Sequence, residues 1–366
     1  MPRLRWSGCA FAPPPRRPLG VEAGPRALTL SLTLTPPPPC DDGDMGETIF
    51  ERVRRTCAAV ADVSSHVQIH DEAIETLADR LDLDRPSNDP GQDPIGDVES
   101  TAAFVLTLDA INFGSGYFPY LRKRPGQSGY HTVAASLRDW VDLDGTITTT
   151  ALRRDVDDWA EVFGQELDGS PAHELMELFT IALRDLADFV DTTADGRFVG
   201  VVEAAQGSAA ALAESLTAMP FYRDVHEHPV AGKVFLYKRA QITAQDLAVA
   251  FAGEGYGRFN DLDQLTMFAD NLVPHVLRVE GVLEFTPDLL RRIEAVDDIT
   301  IGSPEEIEIR ACGVTAVERL AAAVRSRAVD PRPNLTTGSL DNSLWNTGAG
   351  PTYKAIPRHR SRCVFY

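Results

Sequence analysis

SPAHELMELFTIALRDLADF, residues 170–189, decides the fold class. Ser170 followed by Pro171 is a pairing suited to a helix start. The hydroxyl accepts an otherwise free backbone N–H, and the proline ring fits the first turn, where its missing N–H is not needed. Behind this start Leu175, Leu178, Ala182, Leu186 and Phe189 recur at three- and four-residue spacing, so a helix turns them all inward. The same logic extends along the chain. Thr286-Pro287-Asp288 opens another helix. Ser303-Pro304-Glu305-Glu306 reads as a capping box with Glu306 at the third helical position, ahead of an amphipathic run to about Val324. Thr150 is placed to cap a helix carrying Leu152, Val156, Trp159 and Phe163, and Ile74, Leu77 and Leu81 share helical spacing. Strand-like pieces are few, KVFLY at 233–237 being the clearest. The expected fold is mainly α with a small β element, in a single compact domain.

Composition narrows what such a domain does. Hydrophobic residues at 43% and charged residues at 24% are those of a soluble globular chain. A formal charge of −19 repels nucleic-acid backbones and anionic membranes, so direct nucleic-acid and membrane partners are not expected, while one bound nucleotide needs only a few local cations. No run of 18 apolar residues is present. The five cysteines are scattered and form no C-x-x-C pair, so neither a metal nor a disulfide framework is expected, and a reducing cytoplasm is the default compartment. Ten of the 25 prolines precede residue 45. Residues 1–44 therefore read as a disordered Pro-rich tail, and the abrupt change at Met45 suggests that translation starts there, leaving 45–366 as the domain.

Several polar residues stand where the pattern calls for apolar ones. FNDLDQLTMFADNLVPHVL, residues 259–277, reads as an amphipathic helix with Leu265, Phe268, Leu272 and Val276 on one face, kinked or ended near Val273 by Pro274. Asp270 interrupts its most apolar part, and a carboxylate beside Phe268 at a helix break suits a planar polar ligand. AAFVLTLDAINF at 102–113 is interrupted by Asp109, either a core group paired with a cation such as Arg310 or a ligand group. Lys238-Arg239 follows the strand directly and either binds a phosphate or divides into a surface charge and a structural ion pair. Gly129-Tyr130-His131, before a helix beginning near Thr132, either offers N–H groups to an anion or is a plain turn. SLDNSLWN at 339–346 lies in a Gly- and Asn-rich stretch whose composition favours a loop, with Asp341 and Asn342 as capping or pocket groups. The closing PRHRSRCVFY ends in residues that prefer burial, which a docked C-terminal strand would explain, with His359 and Arg362 at the surface or in a pocket.

Taken in order, LDAINF (108–113), SGY (128–130), FYRDV (221–225), KVFLYKRAQI (233–242), F-x-D-x-x-x-LTMFAD (259–270), EIEIRACG (306–313), LDNSLW (340–345) and HRSRCVFY (359–366) make this chain resemble the queuosine salvage family, the queuosine 5′-phosphate N-glycosylases. The likeness spans roughly residues 100–366. It implies a helical, DNA-glycosylase-like architecture and hydrolysis of the N-glycosidic bond of queuosine 5′-phosphate, or a related 7-deazaguanine nucleotide. The released queuine would be salvaged for tRNA modification, without cofactor or metal. By the L-D-x-x-L-W match the catalytic carboxylate falls on Asp341, and the base-binding pair on Phe268 and Asp270. Asn342 and Asn346, also assigned to the substrate, stand where members commonly carry Tyr and Asp, and Asn271-Leu272 where Tyr-Arg is usual. Lys238 is the candidate phosphate ligand.

The chemistry of that reaction constrains the roles. Breaking a ribosyl C1′–N bond passes through an oxocarbenium-like state, which a carboxylate at C1′ stabilises or captures as a transient glycosyl ester. A 7-deazaguanine has no N7 to protonate, so help for the leaving base comes through its pyrimidine edge, stacking or strain. Asp270 could accept from N1–H and the exocyclic amine while Phe268 stacks. Two other readings stay open: a non-catalytic nucleoside-binding protein on the same scaffold, and a structural helical domain whose Asp109, Asp270 and Arg310 are only buried polar groups.

Overall fold

A computed structural model describes residues 46–81, 93–327 and 336–366. The Pro-rich tail, the proposed start at Met45 and the breaker-rich loop at 87–92 lie outside the described residues. Residues Gly46–Tyr366 cluster as one unit.

The chain begins with α1 (Ile49–Val63), β1 (Val67–Ile69) and α2 (Asp71–Ala78). It continues through α3 (Val98–Ala110), α4 (Gly129–Asp144), α5 (Val156–Val162), α6 (Pro171–Ala194), α7 (Phe198–Ala204) and α8 (Ala209–Leu216). After the hairpin β2 (Val225–His228) and β3 (Gly232–Phe235) come α9 (Lys238–Ala250), α10 (Val273–Val279), β4 (Leu283–Phe285), α11 (Pro287–Glu294), α12 (Pro304–Arg327), α13 (Thr337–Gly348) and α14 (Pro351–Lys354). Mainly α with a small β element is therefore the architecture. The β part is two antiparallel pairs, β2 with β3 and the long-range β1 with β4, in which Val67 faces Phe285 and Ile69 faces Leu283.

Two helices form the interior. In α3 every residue from Thr101 to Ala110 is buried, as an apolar run without a polar stripe requires. α12 packs against α1, α2, α10 and α13 and buries three charges, each answered by partners. Glu308 accepts from the Ser64 hydroxyl (2.6 Å) and from the N–H of Ser65 (3.0 Å) and His66 (2.6 Å), pinning the turn after α1. Burial alone would raise its pKa; those donors hold it below the usual carboxylate range. Arg310 donates to both oxygens of Asp224, to Glu306 (3.2 Å) and to the Ala269 carbonyl (2.9 Å), with its guanidinium 4.4 Å from the Tyr366 ring centre. Burial opposes the charge on Arg310, but the Asp224 and Glu306 carboxylates raise its pKa above the ordinary arginine value.

Helix starts written with Ser-Pro form as expected. Ser170 accepts from His173 N–H, and α6 buries Leu175, Ala182, Leu186 and Phe189, with Leu178 only partly covered. Ser303 accepts from Glu306 N–H (3.3 Å), but Glu306 does not complete the box: its carboxylate takes Gly302 N–H and Arg310 instead.

Further expectations fail. Residues 259–277 are not one helix: a short 3-10 turn at Leu262–Gln264 and an irregular run precede α10, where Pro274 sits in the first turn and begins the helix. Leu265, Phe268, Leu272 and Val276 are all buried, so their spacing reflected burial and not helical period. The stretch 339–346 is not a loop but the middle of α13, started by reciprocal bonds between Thr336 and Ser339. The helix capped by Thr150 breaks into a 3-10 turn (Ala151–Arg153) and α5, which Asp155 caps. The C-terminus docks without a strand: Tyr366 is buried and its carbonyl accepts from Gly114 N–H (2.9 Å), with one isolated bridge between Asp298 and Arg360.

Candidate active site

Residues from α4, α9, α13, the irregular run before α10 and the C-terminal segment line a cavity of about 1110 Å³. Asp341 enters it from α13. On that helix Leu340 and Leu344 are fully buried in the core, while the next positions, Asp341 and Trp345, line the cavity. Asp341 is buried, and its Oδ1 accepts from the Phe268 N–H at 2.9 Å. Burial and the charge of Asp270 hold its pKa well above the usual carboxylate range, against the opposing pull of the Phe268 N–H and Lys238.

Asp270 owes its place to α10. Its Oδ1 accepts from Leu272 N–H (2.8 Å) and Val273 N–H (3.0 Å), two of the backbone donors that the start of α10 leaves over. That leaves Oδ2 as the oxygen available to a ligand. Phe268 is largely buried, borders the same cavity and makes no ring contact with another aromatic among the described residues.

Lys238 is the first residue of α9, reached through Tyr237 in the left-handed region (φ 49°, ψ 38°). Its Nζ donates to the Asn112 carbonyl (3.1 Å) and side-chain Oδ1 (3.0 Å). Burial lowers its pKa, while Asp270 and Asp109 oppose that shift. Asn346 Nδ2 donates to the Asn342 carbonyl and Oδ1, both at 2.9 Å, so the two amides form one unit one helical turn long on the cavity wall. Tyr130 and His131, in the first turn of α4, meet Trp345: the His131 ring lies near parallel to it at 6.1 Å and Tyr130 edge-on at 6.2 Å. Gly129-Tyr130-His131 is thus the first turn of a helix capped by Ser128, earlier than the sequence pattern placed its start.

Asp341, Asn342, Asn346, Phe268, Asp270 and Lys238 therefore share one cavity. Other candidates fall elsewhere. Asp109 is buried outside it and does not meet Arg310; it accepts from Asn112 Nδ2 at 3.4 Å. Arg239 is structural: it donates to the carbonyls of Ala110 and Phe221 between the rings of Phe113 and Tyr222. His359 is buried, its pKa pushed down to about 3 by burial, and Arg362 pairs with Asp298 and Glu174. Their neighbours Arg358 and Arg360 line the cavity instead. Burial alternates along 358–363, so the cavity-lining positions are the neighbours of the residues that the sequence singled out. The cavity walls carry Asp246, Asp270 and Asp341 against Lys123, Lys238, Lys354, Arg358 and Arg360. An acidic chain thus surrounds its cavity with a local excess of cations, a distribution suited to a small anionic ligand. Among the described residues no cluster of His, Cys, Asp and Glu could hold a metal ion, and no helix is long and apolar enough to cross a membrane.

The model of the family described as queuosine salvage protein matches residues 92–366. A queuosine 5′-phosphate N-glycosylase/hydrolase of Sphaerobacter thermophilus is 35% identical over 274 residues, covering 73% of this chain and 82% of the relative. Proteins of the same name from Dictyostelium discoideum (29% identity, 86% of this chain, 98% of the relative) and Bos taurus (28%, 75% and 84%) are also similar.

Proposed function

This chain belongs to the queuosine salvage protein family, and from that premise we propose that it hydrolyses the N-glycosidic bond of queuosine 5′-phosphate, yielding queuine and ribose 5-phosphate. The observation that carries the proposal to particular residues is the meeting of two carboxylates, Asp341 and Asp270, with Phe268 on one cavity.

Asp341 is the carboxylate we assign to C1′. In the free protein the ionised form of Asp341 is disfavoured by burial and by the charge of Asp270. The oxocarbenium-like transition state supplies positive charge at that place, so the ionised form of Asp341 is favoured most when the C1′–N bond is breaking. An interaction stronger in the transition state than in the ground state is what accelerates a reaction. The Phe268 N–H holds Asp341 Oδ1 and leaves Oδ2 for the sugar. Water then adds at C1′, one of its protons passing to the departing base, and the sugar product is released.

Phe268 stacks on the base and Asp270 accepts from its pyrimidine edge through Oδ2 alone, since the start of α10 holds Oδ1. Asn342 and Asn346 contribute neutral amide groups to the wall that meets the base or its side arm. Lys238, fixed by Asn112 and lying in the field of both carboxylates, offsets their charge. Incubating the chain with queuosine 5′-phosphate and following free base by chromatography tests the reading. Asp341→Ala is expected to bind without turnover, and turnover at the wild-type rate would refute the assignment.

A further inference from the structure

We infer that Gln245 donates to the 6-oxygen of the bound base and stabilises the negative charge that the base takes on as the C1′–N bond breaks. The inference rests on the glycosylase reading above and adds to it a residue on the leaving-group side of the reaction.

A base that departs with the electron pair of the C1′–N9 bond is an anion until a proton reaches it. In a 7-deazaguanine that charge cannot settle at position 7, which is a carbon. The pair on N9 is conjugated through C4=C5 with the 6-carbonyl, so O6 takes a share of the charge as the bond lengthens. A hydrogen bond donated to O6 is therefore stronger in the transition state than in the ground state, which is the condition for catalysis. Asp270 cannot supply it, because its role at the pyrimidine edge is to accept and its charge opposes that of the departing base. A neutral donor beside the Phe268 ring meets the need.

Gln245 has that place. It lies on α9 about two turns after Lys238 and lines the cavity, partly buried. A Cβ on Gly338, in the first turn of α13, would lie 3.2 Å from Gln245 Oε1 and 3.7 Å from Phe268 Cζ. The amide and the tip of the ring thus come together at one bare stretch of backbone, one turn before Asp341. Of the partly or fully buried side-chain amides lining the cavity, Gln245 alone makes no hydrogen bond to a described residue. Asn112 holds Lys238, Asn271 donates to the His359 carbonyl (3.3 Å), and Asn342 and Asn346 bond each other. A partly desolvated amide without a protein partner is costly until a ligand provides one. Gln245 neither gains nor loses a proton in the reaction. The C1′–N9 pair goes to the base, the water oxygen adds at C1′, and a proton of that water ends on the base.

The full chain and its Gln245→Leu and Gln245→Glu variants test this. Queuosine 5′-phosphate is the substrate. The free bases 7-deazaguanine and 2-amino-7-deazapurine, which differ only at the 6-oxygen, are probes that need no turnover. Gln245→Leu should melt no lower than the wild type, because no protein hydrogen bond is lost. It should lose about tenfold to a hundredfold in base release, chiefly in kcat. Gln245→Glu, which puts a carboxylate where the base becomes an anion, should lose at least as much. The wild type should be stabilised more by 7-deazaguanine than by 2-amino-7-deazapurine in thermal denaturation, and Gln245→Leu should respond equally to both. A lower melting temperature in Gln245→Leu would make the residue structural and overturn the inference. So would unchanged kcat in either variant, or a wild type that responds equally to the two bases. A chain that prefers the 6-oxo base through Gln245 yet releases no base from the nucleotide would instead count against the glycosylase reading and leave the contact to O6 standing.

Discussion

At the scale of single residues, the account turns on a carboxylate placed where it is reluctant to ionise. Asp341's pKa is raised by burial and by Asp270. Its folded pKa thus exceeds its unfolded one, so it favours folding while protonated and costs stability once pH rises through the raised value. Asp341→Asn is expected to raise the melting temperature at neutral pH and to lower base release by about a thousandfold or more. Thermal denaturation and base-release assays at several pH values check both halves, and a drop in stability would mean that the residue is structural. If ionised Asp341 is the working form, kcat/KM climbs with pH through that same value. Asp270→Asn removes the neighbouring charge, so the climb should move to lower pH while kcat/KM falls about 10- to 100-fold from lost base contacts. A pH profile unchanged in position would separate the two carboxylates. Asp270 was legible as an acid interrupting an apolar run and Asp341 through the L-D-x-x-L-W resemblance, whereas in the closing segment the sequence pointed to His359 and Arg362 and the cavity is lined by Arg358 and Arg360.

Elements carry these residues, and their starts explain what the sequence did and did not disclose. Ser170-Pro171 and Ser303-Pro304 were legible because a cap and a proline act locally, whatever the tertiary context. The run 259–277 misled because burial of Leu265, Phe268, Leu272 and Val276 at three- and four-residue spacing arises equally from an irregular segment crossing a core. There Asp270 is the structural signal: an acid before a Leu-Val-Pro helix start, accepting from the donors of α10. Asp270→Ala should therefore cost about 1 kcal/mol of stability, whereas Asp270→Asn, which retains an acceptor, should cost little. Urea denaturation of the two variants distinguishes the cap from the ligand role. α13 was hidden by its Gly and Asn content, which packing overrides. At its end Gly348 lets α10 approach: a Cβ there would lie 2.7 Å from Val276 Cγ2 and 2.8 Å from Leu272 Cδ1. Gly348→Ala is expected to destabilise the fold by about 1–3 kcal/mol and to lower turnover by shifting Asp341.

For the whole molecule, Arg310 is the tie between the interior and the cavity. It joins α12 to Asp224, to the Ala269 carbonyl between Phe268 and Asp270, and to the ring of Tyr366. Arg310→Met leaves Asp224 and Glu306 buried without their cation, and is expected to cost about 3–5 kcal/mol in urea denaturation with loss of turnover. The general plan, mainly helical with few strands, was readable from caps and apolar spacing, while the partner of Arg310 was not. Pairing across 86 residues of sequence is a property of the fold, and Asp109 offered the same chemistry as Asp224. The most direct test of the account is the release of queuine from queuosine 5′-phosphate by the purified chain, measured beside Asp341→Asn under ligand saturation. The account predicts free base and ribose 5-phosphate in equal amounts from the wild type, and thermal stabilisation by ligand without release from Asp341→Asn. Ligand-bound wild type that yields no base, or Asp341→Asn that yields it at the wild-type rate, would contradict it.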